Sequence, residues 1–434
     1  MAFEYLSKFI TAAEAAAKVK DNDFVILANG VCGPLEFIKA LSARATELHG
    51  VKMNHAKITS PTPLPYVDPA MAPHLMHDTF AFAIEFKKTM MVGAADFATC
   101  GYRDVACFIA DGTFKPDVTV FQVTPPDAAG YCSLGLTGSY LPIAVQHSKL
   151  VIAEVNPQLP MTGGCRVHVD DIDFFIDVDY PLPSTAPIPF GDVERRIGEY
   201  IGSLVEDGSC LQLGVGAIPN AALAVLENHK DLGIHTETFG DNVVDLVKRG
   251  VITGRKKTLK PGLMTATFIT GSNFTHQFCR ENGMMIDLQG VHYTNDPWVI
   301  AQQDKMIAIN SAVEVDITGQ INAETLGSIQ ISGVGGQMEY AMGALHSKGG
   351  KYIVAMPSTA AKGTISRIGA YLTKGASVSV PRHQADYIIT EYGIASLRGK
   401  NNRQRAKALI EIAHPDFREQ IEREARERHD IHLD

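Results

Sequence analysis

Leu211-Gln-Leu-Gly-Val-Gly-Ala-Ile-Pro-Asn220 is the stretch that decides the fold. An apolar run ends in two closely spaced glycines, and these lead through a proline into small residues suited to a first helical turn. Strand, glycine turn and helix in that order belong to an α/β protein with a mostly parallel sheet. Downstream, Leu232-Gly-Ile-His-Thr-Glu-Thr-Phe-Gly-Asp241 reads as a second buried strand. It delivers one carboxylate, Glu237, to the sheet edge where ligands of α/β proteins bind. His235 precedes Glu237 by two residues, so on a strand the two side chains share a face. His235 either tunes that carboxylate or is a satisfied core histidine. From spacing alone, a lone acid at a strand end is more often solvated or salt-bridged than catalytic.

The same pattern recurs upstream. Asp23-Phe-Val-Ile-Leu-Ala28 is a compact apolar run, Asn29-Gly-Val-Cys-Gly-Pro34 turns the chain, and a helix is expected from Leu35 to about Leu48. Further strands are expected at Ala56–Thr59, Thr89–Val92, Val118–Val123 and Leu150–Val155, and a helix over residues 4–19. The proline-rich interval Tyr180-Pro-Leu-Pro-Ser-Thr-Ala-Pro-Ile-Pro189 is the best boundary in the chain. It divides residues 1–185 from 190–434 and gives two similar open α/β domains with mostly parallel sheets. After it come a helix at Asp192–Val205 and strands at Leu263–Phe268, Lys305–Ile309, Tyr352–Met356 and Ala385–Thr390. A charged helical tail runs from Arg403 to Arg428. The echo between Asp23…Leu27…Gly30…Pro34 and Asp207…Leu211…Gly214…Pro219 makes two similarly folded halves a hypothesis.

With 434 residues, 45% hydrophobic and 20% charged, the chain has the balance of a globular protein large enough for two domains. A net charge of -9 argues against a nucleic-acid binder. The seven cysteines are scattered without a CxxC pair, so neither a disulfide framework nor a zinc site is indicated. The opening residues lack a basic region followed by a long apolar one, and no long apolar run follows. No signal peptide or membrane span is expected, and the cytoplasm is the expected location.

Three glycine loops stand out, Gly214-Val-Gly216, Gly290 and Gly333-Val-Gly-Gly336. The first opens a helix, so its N–H groups can face an anion. A dinucleotide fingerprint would need a third glycine where Pro219 stands. Glu237, about twenty residues on, nonetheless keeps a nucleotide-binding oxidoreductase open. Met356-Pro-Ser-Thr-Ala-Ala-Lys-Gly-Thr-Ile-Ser-Arg367 is hydroxyl-rich and follows a strand. Its Ser358, Thr359, Lys362, Ser366 and Arg367 suit contacts to phosphate or pantetheine, and a capped turn with solvated charges is the other reading. His74-x-x-His77 lacks a third ligand at helical spacing, so no metal is expected. Cys132 is either a nucleophile or, as small buried cysteines more often are, a packing residue.

Several longer motifs occur in order: Pro125-Pro-Asp-Ala-Ala-Gly-Tyr-Cys-Ser133, Val151-Ile-Ala-Glu-Val-Asn156, Gly233-Ile-His-Thr-Glu237, Ser332-Gly-Val-Gly-Gly-Gln337, Ala385-Asp-Tyr-Ile-Ile-Thr-Glu-Tyr-Gly393 and Ile412-Ala-His-Pro-Asp-Phe-Arg418. Through them, from about residue 8 to 428, the chain resembles the acetyl-CoA hydrolase/transferase family of class I CoA-transferases. The resemblance implies two α/β domains, no tightly bound cofactor, and coenzyme A as substrate and covalent intermediate. Its implied partners are an acyl-CoA and a small carboxylic acid, in a homo-oligomer (dimer or tetramer). Glu237 matches the glutamate that becomes a glutamyl-CoA thioester. Gln212, Leu213, Gly214, Val215, Gly216 and Ala217 match an oxyanion and CoA loop. Ala312, Gly335 and Lys362 match CoA contacts, and Gly333, Gly336, Gln337, Ser358 and Arg367, from the glycine-rich and hydroxyl-rich stretches, are further CoA-contact candidates.

Two departures bear on the acid. Met338-Glu-Tyr-Ala-Met-Gly343 replaces the family's Val-Asp-Phe-x-Arg-Gly, with Met342 where an arginine is usual, and Ala110–Pro116 also differs. Glu339 and Met342 are therefore the acyl-specificity candidates. The acceptor is a small carboxylate such as 4-hydroxybutyrate, itaconate or succinate, with acetyl-CoA or succinyl-CoA as donor. The same glutamate also suits an acyl-CoA hydrolase. Arg280-Glu-Asn-Gly283 resembles the signature of other class I CoA-transferases, which makes Glu281 the rival nucleophile.

Overall fold

The computed structural model describes residues 4–80, 87–214, 216–428, 431 and 433. The chain divides into two compact units, the first made of Met1–Ala186 with Thr265–Thr294 and the second of Pro187–Met264 with Asn295–Asp434. The first break falls inside the proline-rich interval. Residues 265–294, assigned to the second domain from sequence, instead group with the first unit, where Ile286–Leu288 pairs in parallel with Gly163–Gly164.

In the first unit the strands are β1 (Phe24–Leu27), β2 (Val51–Asn54), β3 (Leu75–Thr79), β4 (Ala95–Phe97), β5 (Val118–Val123), β6 (Leu150–Val155) and β7 (Phe174–Asp177). They form one sheet in the order β7-β6-β5-β1-β2-β3-β4, parallel at every pairing. Every residue of β5 is buried, as expected of a central parallel strand covered on both faces. After β1 the turn at Gly30–Pro34 opens α1 (Leu35–Ala43), which lays Phe37, Ile38 and Leu41 into the same core as Val25, Leu27, Val120 and Ile152. Each of those three side chains contributes about 1.5–3 kcal/mol of burial.

Three expectations shift in this unit. The strand beside β1 is Val51–Asn54, and Ala56–Thr59 keeps only a bridge from Ile58 to Gly30. Thr89–Val92 falls largely in a helix, Lys87–Met91, with Met91 and Val92 exposed. Residues 4–19 are two short helices, Glu4–Lys8 and Ala12–Ala16, because the Thr11 hydroxyl and the Glu14 carboxylate form a capping box that starts the second afresh.

The second unit opens on α2 (Asp192–Leu204), whose Glu194 carboxylate accepts from the Gly191 N–H at 2.9 Å. There follow β8 (Cys210–Leu213), α3 (Ala217–Val225), β9 (Gly233–Phe239), β10 (Met306–Asn310), α4 (Gln337–His346), β11 (Lys351–Ala355), β12 (Tyr387–Thr390) and β13 (Gly393–Ser396). The strands run side by side in the order β13-β12-β11-β10-β8-β9, parallel except for the hairpin β12–β13. In both units the first strand is central and pairs with the second on one side; β5 to β7 of the first unit and β10 to β13 of the second lie on the other, while β3 and β4 extend the first sheet beyond β2. The tail is α5 (Asn402–Ile412) and α6 (Pro415–Arg426), packed through Ala406, Leu409, Ile412 and Ile421 on the core built from Met306, Ala308, Val354 and Ile388. Among the described residues no helix is long and apolar enough to cross a membrane. All seven cysteines are unbridged.

Candidate active site

The site lies in the second unit, at the carboxyl end of β9. Six of the seven residues of β9 are buried, and Glu237 is the partly exposed one. Strand pairing with β8 runs through Leu211↔Ile234, so Glu237 stands beyond the last paired position, where a side chain can meet a ligand. His235 is fully buried, contacts Gln303 Nε2 at 3.4 Å through Nδ1, and lies edge-on to the Tyr340 ring.

Asn295 holds Glu237 from one side and the Gly336 backbone closes on it from another. Asn295 Nδ2 donates to Glu237 Oε1 at 2.5 Å. Its position follows from the residues after it: the Asp296 carboxylate caps the turn Pro297–Ile300 by accepting from Trp298 N at 2.8 Å, which fixes the backbone next to Asn295. The backbone of Gly336 lies against the same oxygen and favours its ionised form. Glycine is required there, because a Cβ at 336 would overlap both Glu237 Oε1 and Asn295 Nδ2. Loss of solvation lifts the Glu237 carboxyl to about 7, opposed by the Asn295 and Gly336 hydrogen bonds, which favour the ionised form. Burial, and secondarily the charge of Glu237, raises the phenol of Tyr340 well above its ordinary range.

From sequence, the Gly214–Ala217 amides are the expected oxyanion donors. In the structure the Gly214 N–H points to the Ile309 carbonyl at 3.4 Å, and the side-chain donor on Glu237 itself is Asn295. Gln212 and Leu213 end β8, with Gln212 Oε1 accepting from Asn310 at 3.0 Å. Gly216, at φ 150°, and Ala217 open α3. Val215 lies outside the described residues. Asn295 was not among the residues singled out from sequence.

The other expected CoA contacts form a second group. Ser358, fully buried, donates from N and Oγ to the two oxygens of Glu391 at 2.8 and 2.6 Å. Arg367 donates from Nη1 to the Ala312 carbonyl at 3.2 Å, and its N–H reaches the Ser358 carbonyl at 2.8 Å. Burial lowers the Arg367 pKa, with Glu391 opposing. Lys362 caps the short hairpin between Thr359–Ala360 and Ile365–Ser366, exposed and left-handed at φ 57°. The Gly333 carbonyl takes the Ser332 hydroxyl, and Gly335 is left-handed at φ 58°. Gln337 turns inward, its side-chain amide donating to Ser311 and Tyr352. Glu339 is buried on the first turn of α4, and Met342 is half-buried one turn on.

The rival residues differ in setting. Glu281 is exposed on the helix Asn273–Asn282, accepting from Gln277 at 2.7 Å. Cys132 is fully buried, and desolvation pushes its thiol up to about 12, far from a reactive thiolate. His74 Nδ1 contacts the Leu48 carbonyl, and among the described residues no group of three or more His, Cys, Asp or Glu is arranged to hold a metal.

Two sequence signatures cover most of the chain: the acetyl-CoA hydrolase/transferase N-terminal domain matches residues 2–184 and the C-terminal domain residues 271–425. The 4-hydroxybutyrate coenzyme A transferase of Clostridium kluyveri is 42% identical over 98% of this chain and 98% of its own. The solved structure of a 4-hydroxybutyrate CoA-transferase from Porphyromonas gingivalis is 37% identical, with a TM-score of 0.84 and 98% of both chains covered. That of RipA from Yersinia pestis is 31% identical at a TM-score of 0.92, again covering 98% of both. With relatives of this identity along nearly its full length, the chain belongs to the acetyl-CoA hydrolase/transferase family.

Proposed function

We propose that the protein is a CoA-transferase that moves CoA from an acyl-CoA to a small carboxylate through a thioester on Glu237. The observation that carries this reading is the setting of Glu237. It is a desolvated carboxylate at the end of a parallel strand, held by Asn295 with the Gly336 backbone against it, and able to ionise near neutral pH. Ionised Glu237 attacks the thioester carbonyl and expels CoA thiolate, leaving a mixed acyl-glutamyl anhydride. The thiolate attacks the glutamyl carbonyl, releasing the free acid and leaving CoA on Glu237. The incoming carboxylate reverses both steps, so one thioester replaces another and ATP is not consumed. Asn295 Nδ2 and the Gly336 N–H are the groups that stabilise negative charge as it moves between Glu237 and the acyl carbonyl. Such donors contribute about 3 kcal/mol each at acyl-transfer sites.

CoA lies along the group formed by Ala312, Ser358, Lys362 and Arg367. The acid is a short carboxylate of the 4-hydroxybutyrate, succinate or itaconate type. The enzyme works in the cytoplasm as a homo-oligomer. Acyl-CoA consumption with and without added carboxylate tests the assignment. A transferase loses acyl-CoA much faster when an acceptor is present, whereas equal rates would make the protein a hydrolase.

A further inference from the structure

We propose that Gln337 is a positioning residue, whose buried side-chain amide sets the first turn of α4 so that the Gly336 backbone stays against the Glu237 carboxylate. Gly336 is the last residue before α4 and follows Gly335 at φ 58°, in a segment whose other members are Gly333 and Val334. A run so rich in glycine has little side chain with which to hold itself, and glycine carries the largest backbone freedom of any residue. A donor acting on a reacting carboxylate must nonetheless be kept within about 0.5 Å of its working place. The first residue able to anchor this loop from the helix side is Gln337.

Its geometry suits that task. Gln337 is only 7% exposed, and its Nε2 donates to the Tyr352 hydroxyl at 2.9 Å and to the Ser311 carbonyl at 3.1 Å. Both amide hydrogens are thereby used inside the protein. The two acceptors belong to neighbouring parallel strands: Tyr352 sits on β11 and Ser311 directly follows β10, in register through Asn310↔Val354. The anchor is therefore the rigid sheet. The Gln337 N–H also closes the loop onto the Val334 carbonyl at 3.2 Å, so the side chain pins the residue whose backbone completes the turn. This departs from the expectation that Gln337 contacts CoA.

The inference rests on Glu237 being the nucleophile, and its test separates the two claims. Gln337→Met keeps length and apolar bulk but removes both donors. Tyr352→Phe removes one acceptor and leaves Ser311. In the full-length enzyme Gln337→Met lowers kcat about 10- to 100-fold, as expected for a displaced catalytic donor. The KM for acyl-CoA stays within about threefold, since no substrate contact is lost. The acid limb of the pH profile moves upward, because a weakened Gly336 donor disfavours ionised Glu237. Tyr352→Phe shifts the same two quantities in the same direction by less, and it decides the matter should Gln337→Met not fold. The proposal is overturned if KM rises tenfold with kcat and the acid limb unchanged, which would make Gln337 a CoA contact. Unchanged kcat in Tyr352→Phe would overturn it as well. A CoA adduct found on wild-type Glu237 alongside unaffected variants sinks this inference alone, whereas absence of the adduct sinks both.

Discussion

Replacing Glu237 by Gln should make the protein more stable, and only at the pH where the enzyme works. Desolvation places the carboxyl of Glu237 near 7 in the folded chain, against an ordinary value of 4.5. A carboxyl whose folded pKa lies above its unfolded one opposes folding once it ionises. The cost is absent below pH 4.5, grows between 4.5 and 7, and is complete above 7. A shift of this size corresponds to about 3 kcal/mol, and the residual solvent contact of Glu237 scales it to about 1–3 kcal/mol. Gln keeps the shape, leaves one acceptor oxygen for Asn295 and never ionises. All other titrating groups are common to both proteins and cancel in the difference. Urea unfolding of wild type and Glu237→Gln at pH 5 and pH 8 measures the effect. The variant should gain about 1–3 kcal/mol at pH 8 and little or nothing at pH 5. An equal difference at both pH values, or a variant less stable at pH 8, would refute the desolvated-carboxylate picture.

The acid limb of exchange activity should sit near pH 7, because Glu237 reacts only when ionised and its carboxyl lies at about 7; the rate should fall about tenfold per pH unit below it. A limb near pH 4.5 would mean that the reacting carboxylate is solvated. Gly336→Ala forces a Cβ into Glu237 Oε1 and Asn295 Nδ2, and kcat should drop about 100-fold or more with the fold retained. Exchange within threefold of wild type would show that the loop does not touch the chemistry. Asn295→Ala removes the donor at 2.5 Å and should cost kcat about 100-fold, with the acid limb shifted up, as read from steady-state rates across pH 5–9.

How far the molecule can be read from its sequence depends on how local each signal is. Val118–Val123 and Leu150–Val155 appear in the structure with the bounds expected of them, because central parallel strands are apolar on both faces and stand out as runs. Val51–Asn54 and Ala56–Thr59 each carry a lysine in second place and a polar fourth residue, so composition does not separate them, and only pairing with Phe24–Ile26 makes the first the strand. Glu237 was legible because strand, acid and glycine follow one another. Asn295 was not: its place depends on a contact spanning 58 residues and on a capped turn with no catalytic signature. Gln337 was legible as important, but whether it faced ligand or core depended on Tyr352 and Ser311, which meet it only in the fold. The interruption of the second unit by residues 265–294 leaves no mark in composition, since the segment carries the same strand and helix patterns as its surroundings.

Everything proposed for the chemistry depends on CoA becoming covalently attached to Glu237. Intact-protein and peptide mass spectrometry after incubation with an acyl-CoA, without acceptor acid, measures this directly. A CoA adduct is expected to be confined to the peptide containing Glu237, lost on adding a carboxylate, absent from Glu237→Ala, and convertible by borohydride into an inactivated enzyme. An adduct on Glu281, or full exchange activity in Glu237→Ala, would contradict it.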